Sequence, residues 1–371
     1  MDKYTMGWDI PEPFVKDAFM ACGVPRADAE ICADVLLESD RRGIESHGVN
    51  RFKPIYIDRI RAGQQSAVTN IEVVRETPAT AVLDGNHGMG QVVAHRAMAT
   101  AIEKAKSNGL GMTAVRNSTH FGIAGYYCSM AADAGCIGMV GTNARPSIAP
   151  TYGVENMLGT NPLSFGIPTD EPFPFMFDCA TSITQRGRIE SDARLGKPTP
   201  GGHVITGDGA ALTDSASILK ALTDGSAALA PLGGSGDQSG GYKGYGFATV
   251  VEILSSALQG GRFLRALSGF ENGRQVPYAL GHFFLAINAE AFLGIDTLKR
   301  IAGDICRELR SSKKAPGHDH IYTAGEKEYL TWMERKDTGV PINQGVMRDL
   351  VNIRDMCGLK QYVFPFEPLE G

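Results

Sequence analysis

Apolar side chains recur at helical spacing from residue 13 to residue 40, pairing Ile31 with Val35 and Cys32 with Leu36, and Gly23 interrupts the pattern. Two opening helices are therefore expected, the first closed at Gly23. Further on the period shortens. Residues 79–84, 111–116 and 136–141 read as strands, and the stretches 91–107 and 125–134 between them read as helices stopped at Gly109 and Gly135. The rhythm is β-α-β-α-β. Apolar runs at 163–167 and 175–177 continue it, so a largely parallel or mixed sheet with helices on both faces is expected. From 191 to 241 the composition turns to Gly, Asp, Ser, Thr and Pro, with a turn at Asp208-Gly209, which suits an exposed excursion or lid. A helix follows over 246–259, a buried strand over 282–287, a helix over 326–336 and an extended tail over 361–366. Internal repeats and low-complexity tracts are absent from the sequence.

With 371 residues, 43% of them hydrophobic, the chain can bury the core of two domains. Its 41 acidic and 36 basic residues leave a formal charge of -5 with no long run of one sign, which argues against a nucleic-acid partner. The seven cysteines are scattered and include no C-x-x-C pair, fitting a reducing compartment and neither a disulfide frame nor a zinc site. No apolar run follows a basic start at Met1-Asp2-Lys3, and no apolar stretch of about eighteen residues occurs, so a cytoplasmic location without membrane contact is expected.

In open α/β sheets ligands collect beyond the carboxyl ends of strands, and three such ends carry chemistry here. The strand at 111–116 leads into Asn117-Ser118-Thr119-His120-Phe121-Gly122, the strand at 136–141 into Thr142-Asn143, and the run at 175–177 into Asp178-Cys179-Ala180-Thr181-Ser182. His120, in a glycine-flanked polar loop, can be exposed and aimed, or can cap a helix. His47 follows the second helix, with Arg51 four residues on. That spacing lets a guanidinium clamp a carboxylate while the imidazole exchanges a proton nearby, although a helix-end histidine beside a solvated arginine fits it too.

Asp84-Gly85-Asn86-His87-Gly88-Met89-Gly90-Gln91 invites comparison with the dinucleotide fingerprint and fails it, since Val93 stands where a small residue is needed. Lys243, within Gly241-Tyr242-Lys243-Gly244, lacks the following Ser or Thr of a Walker loop but can still grip phosphate. His318-Asp319-His320 has no further ligands at metal-site spacing, so no metal is expected. His95 and His203 read as structural.

Taken in order, Ser46-His47-Gly48-Val49-Asn50-Arg51-Phe52, Gly88-Met89-Gly90-Gln91, Asn117 to Gly122 with Gly125-Tyr126-Tyr127, Leu158-Gly159-Thr160-Asn161-Pro162, Asp178 to Ser182, Gly241 to Gly244 and Gly325-Glu326 resemble the malate/L-lactate dehydrogenase family. The resemblance spans about residues 27 to 328. It implies a three-layer α/β/α mixed sheet of the sulfolactate dehydrogenase type, not a Rossmann fold, with an N-terminal helical part. Residues 1–75 and 245–371 would form the substrate and dimerisation part, and 76–244 the cofactor-binding part.

The resemblance further implies a homodimer that moves a hydride between NAD or NADP and a small 2-hydroxy or 2-oxo acid. His47 matches the family's proton donor and acceptor, and His120 its second active-site histidine. Arg51, Thr160 and Asn161 match substrate contacts. Asp178, Cys179, Ala180, Thr181, Ser182, Tyr242, Lys243, Gly325 and Glu326 fall on cofactor-contacting segments, with Asp178 also a catalytic candidate that orients an imidazole or holds ribose hydroxyls. Gly202-His203-Val204-Ile205 and Tyr322-Thr323-Ala324 depart from the family pattern, which bears on lid contacts and cofactor preference. Alternatives on the same scaffold are reduction of a cyclic imino acid such as piperideine-2-carboxylate, oxidation of ureidoglycolate, and a non-catalytic metabolite sensor.

Overall fold

The computed structural model describes residues 3–367. Seven strands form one mixed sheet in the order Glu72–Glu76, Thr80–Asp84, Leu110–Ser118, Leu280–Asn288, Cys136–Thr142, Leu163–Ile167, Phe175–Cys179. Thr80–Asp84 and Leu110–Ser118 run parallel, and every other neighbouring pair is antiparallel. The β-α-β-α-β rhythm thus finds the right elements and the wrong neighbours. Leu280–Asn288 separates the strands that the rhythm would join, because its unbroken sequence Leu-Gly-His-Phe-Phe-Leu-Ala-Ile-Asn suits a strand covered on both faces. This central strand comes from beyond the boundary expected at 244/245.

One face of the sheet is covered by helices Gly90–Asn108 and Ala124–Asp133, whose small side chains Ala94, Ala97, Ala101 and Ala131 pack against Val115, Val140, Phe284 and Ala286. Helix Gly241–Leu254 meets the sheet at Cys136–Thr142. The edge strand Glu72–Glu76 is exposed at every position, so it carries no burial signal and is unforeseen.

A second core joins the chain's two ends. Helices Pro11–Ala21, Arg26–Arg41 and Gln344–Cys357 close over Phe52, Tyr56 and Ile57. Each such buried side chain contributes about 1.5–3 kcal/mol relative to exposure, enough to hold the Phe52–Ile57 segment firmly. Helix Gln344–Cys357, capped by Asn343 at the Val346 amide (3.1 Å), goes unforeseen, as does the amphipathic helix Ile295–Ser311. The tail over 361–366 is not a strand but an irregular turn that buries Phe364.

The polar stretch 191–241 is not an open lid. It folds with helix Arg186–Arg194, the antiparallel pair Val204–Thr206 and Ala227–Leu229, and helix Ser215–Asp224 capped by Asp214. Val204, Ile218, Ala227 and Leu229 from this stretch form a small core with Ile148, Leu158 and Ala248. Among the described residues no helix is long and apolar enough to cross a membrane.

Candidate active site

His47 lies in the turn that leads from helix Arg26–Arg41 to the short 3-10 turn Val49–Arg51. Asp40 shapes that turn. Its buried Oδ2 accepts the Val49 N–H at 2.8 Å, and a Cβ at Gly48 would overlap the same carboxylate. Burial pushes the Asp40 carboxyl up to about 8 against the pull of that amide. His120 lies in the loop that closes Leu110–Ser118, and the glycine run before helix Gly90–Asn108 packs beneath it. The Gly90 N–H donates to Thr119 Oγ1 at 2.9 Å, and the Thr119 hydroxyl donates to the Gly88 carbonyl at 2.8 Å. The glycines that mimic a dinucleotide fingerprint therefore serve the backbone of the histidine loop.

The two imidazoles meet as a stacked pair, with centroids 5.7 Å apart and planes inclined by 19°. The Tyr56 hydroxyl lies 2.7 Å from His120 Nδ1, and the Gly122 N–H donates to the same nitrogen at 3.3 Å. Nδ1 is thus an acceptor, the hydroxyl donates, and the imidazole proton is assigned to Nε2. His47 Nδ1 pairs with Ser46 Oγ at 2.9 Å, which leaves its Nε2 for other partners. Burial and then the Arg51 charge lower His47 to about 4. His120 is lowered well below its ordinary value, by burial first and then by His47, Arg59 and Arg51. Both rings are neutral near neutral pH.

Charge balance makes this pocket unusual. Arg51 is held by its Nε at the Ser46 carbonyl (2.7 Å), and Arg59 stacks over the Tyr278 ring with Cζ 4.4 Å from the centroid. The charges of Arg51 and Arg145 both act on Arg59. Among the described residues none of these three guanidiniums has a carboxylate partner. Arg51 and Arg59 lie near enough to act on His120, and Arg145 acts in turn on Arg59, an arrangement of charge that can attract an anion. Sequence reasoning found Arg51 and missed Tyr56, Arg59 and Arg145. The signal for the first two was the helical step Tyr56, Arg59 directly after the His47 turn; Arg145 follows the Thr142-Asn143 strand end.

A second group lines a cavity of about 640 Å³, with Gly125, Ser129, Asp178, Gly325 and Lys327 on its wall. Asp178 sits there because its strand ends at the N-terminus of helix Ala124–Asp133, where Oδ2 accepts the Gly125 N–H at 2.7 Å. Burial raises its carboxyl to about 6, opposed by that amide and by Arg42. Its partner is a helix end and not an imidazole, so the imidazole-orienting role expected of Asp178 has no contact behind it. Burial and then the charge of Asp178 push the half-buried Cys179 thiol up to about 11. Thr181 donates its N–H to the Thr160 carbonyl at 2.9 Å, which joins the Thr160 loop to the end of the strand carrying Asp178 and Cys179, just past Ala180. Ser182 Oγ is buried without a hydrogen-bond partner.

Asn161 departs from the open position expected of a substrate contact. It is fully buried, and its Nδ2 donates to the Ala248 carbonyl (3.0 Å) and to Glu252 (2.8 Å), while its Oδ1 is unpartnered. Glu326 is likewise consumed internally. Its carboxylate accepts the Thr323 N–H at 3.0 Å and pairs with His320 at 2.9 Å, so Gly325, and not Glu326, faces the cavity. Tyr242 and Lys243 are exposed in the first turn of helix Gly241–Leu254, where a lysine opposes the helix dipole unless an anion joins it. Of the residues expected to hold cofactor or substrate, Asp178 and Gly325 line the cavity, while Asn161, Ser182 and Lys243 are not on its wall. Among the described residues no group of three or more His, Cys, Asp or Glu is placed to hold a metal.

The mixed sheet that carries the stacked histidine pair is shared with dehydrogenases of hydroxy acids. Residues 9–351 match the family described as Malate/L-lactate dehydrogenase, and the chain belongs to that family. It is 42% identical over 347 residues to the malate dehydrogenase of Pyrococcus abyssi, covering 94% of this chain and 93% of that one. The crystal structure of malate dehydrogenase from Entamoeba histolytica superposes with a TM-score of 0.93 at 43% identity, over 98% of this chain and 100% of that one. Sulfolactate dehydrogenase from Methanocaldococcus jannaschii superposes with a TM-score of 0.86 at 36% identity, over 97% and 100% respectively.

Proposed function

We propose that this protein interconverts a 2-hydroxy diacid of the malate or sulfolactate type and its 2-oxo form, with His47 as proton acceptor and donor. NAD or NADP, when bound, supplies the hydride chemistry at C2. Everything else falls to the chain. In oxidation His47 takes the hydroxyl proton at Nε2, because Nδ1 is tied to Ser46, and in reduction it returns it. His120, with its proton on Nε2, donates to the same oxygen and stabilises the charge that grows there. Arg51 grips the carboxylate next to the reacting carbon, while Arg59 and Arg145 answer the distal anion. The observation that carries this reading is the neutral imidazole pair beside the guanidiniums of Arg51 and Arg59, with Arg145 acting on Arg59. A cyclic imino acid carries one carboxylate and leaves the distal cations unanswered.

The chain is further proposed to work as a homodimer. The exposed apolar row Phe247, Val250 and Ile253, with Leu258 and Phe263 nearby, suits burial against a second copy.

The test is a substrate panel run with both NADH and NADPH. Oxaloacetate and sulfopyruvate are expected to be reduced at least about tenfold more efficiently than pyruvate or piperideine-2-carboxylate. In Arg51→Lys the Michaelis constant for the preferred acid should rise with little change in kcat, since a point charge replaces a bidentate fork. Equal efficiency on pyruvate, together with an unmoved Michaelis constant, counts against the anion receptor.

pH tests the acid-base assignment. A histidine lowered to about 4 stays deprotonated through neutrality, so kcat/KM for hydroxy-acid oxidation should hold steady below pH 6.5 and fall only on approach to pH 4. Because the Arg51 charge is one cause of the lowering, Arg51→Gln should move that acid limb upward. A wild-type limb centred near 6.5 would show a solvated imidazole and exclude the buried pair as the titrating group.

A further inference from the structure

Cys22 and Cys357 lie 335 positions apart in the sequence, yet their sulfurs are 3.8 Å from each other. Cys22 caps the C-terminal end of helix Pro11–Ala21, and Cys357 is the last residue of helix Gln344–Cys357. Both are half-buried and thus reachable by small reagents. Cys32, Cys128, Cys136 and Cys306 are buried, and Cys179 lies apart on the strand that carries Asp178. The scattered spacing that argued against disulfides concealed a pair made by the two ends of the chain.

We infer that Cys22 and Cys357 are an oxidative modification site that closes to a disulfide between the first and last long helices. The partner is a low-molecular-weight disulfide. The Cys357 thiolate attacks one of its sulfurs and expels a small thiolate. The Cys22 thiolate then attacks Cys357 Sγ in the mixed disulfide and expels the second. Two protein S–H bonds are lost and one S–S bond forms, while the small disulfide is reduced to two thiols. The two sulfurs close from 3.8 Å to the bonded separation of about 2.05 Å.

The hydrogen bond between the two sulfurs lowers Cys357 and raises Cys22, so Cys357 is the attacking group, with the Arg61 guanidinium favouring a thiolate and burial opposing it. Closing so long a loop restricts the unfolded chain strongly. The bridge would fasten the helices that bury Phe52, Tyr56 and Ile57, the bed on which the His120 partner rests.

The experiment treats the full-length protein with oxidised glutathione, blocks remaining thiols, and maps peptides by mass. Two of the seven thiols should disappear, with Cys22 and Cys357 joined, and the melting temperature should rise by roughly 5–8 °C. Dithiothreitol should reverse both changes. Cys22→Ser, close in size, should stop at a glutathione adduct on Cys357, and Cys357→Ser should lose the cross-link. Seven thiols still titrating, a glutathione adduct as the end product in wild type, or a bridge between other cysteines would overturn the assignment.

Discussion

Replacing His47 with alanine is expected to lower turnover by about a hundredfold or more in both directions while leaving the fold and cofactor affinity intact. The size follows from the position. His47 Nε2 is the nitrogen left open once Ser46 occupies Nδ1, and the neighbouring ring has Nδ1 already engaged by Tyr56 and Gly122. His120 can therefore donate a hydrogen bond but is poorly placed to accept a proton, and it cannot stand in for the missing base. The Asp40 buttress beneath the turn bonds backbone at Val49 and does not depend on the imidazole. Steady-state rates, with cofactor affinity followed by nicotinamide fluorescence, separate chemistry from binding. Near-normal turnover with unchanged affinity would take the proton-transfer role away from His47.

Gly90→Ala should cost at least about tenfold in kcat together with about 1–3 kcal/mol of stability, although residue 90 touches no substrate in the mechanism above. A Cβ there would overlap the carbonyl oxygens of Thr119 and His120, which are backbone atoms and cannot rotate aside. The loop must lift, which stretches the 2.7 Å contact from Tyr56 to His120 and breaks the stacked geometry. Urea unfolding and kcat measured on the same preparation test both halves of the expectation. Gly201→Ala is the control, since nothing lies within 4 Å of a Cβ at that position and both quantities should hold. Full activity in Gly90→Ala would mean that the loop tolerates displacement and that its packing is not what aims His120.

Elements with strong periodicity were legible in the sequence. The strands around 80–84, 110–118, 136–142 and 163–167 and the helices between them match within a few residues, because one-sided burial writes itself into spacing. Glu72–Glu76 was not legible, as an exposed edge strand is held by backbone pairing and leaves no side-chain pattern. The stretch 191–241 misled for the opposite reason: a few of its apolar residues, Val204, Ile218, Ala227 and Leu229, suffice for a small core, so composition understated its order. At the site, motif order singled out His47, His120, Arg51 and Asp178 as candidates, but which of them touch requires coordinates. Tyr56 was hidden because Phe-Lys-Pro-Ile-Tyr-Ile reads as plain core, and Arg59 because Asp-Arg-Ile-Arg after it reads as a solvated charged turn. Asn161 and Glu326 illustrate the converse, polar residues in motif positions whose side chains are consumed by structural hydrogen bonds.

The position of Leu280–Asn288 at the middle of the sheet carries a kinetic consequence. The strand bearing the His120 loop has one of its two lateral partners about 170 residues downstream, so its register cannot be completed until most of the polypeptide has left the ribosome. Until then the apolar flanks of Leu110–Ser118 and Cys136–Thr142 lack the strand that keeps them apart, and premature pairing with each other is the natural trap. Maturation of the enzyme is thus governed by the arrival of one late segment, and slow refolding with early self-association is what such a topology exacts.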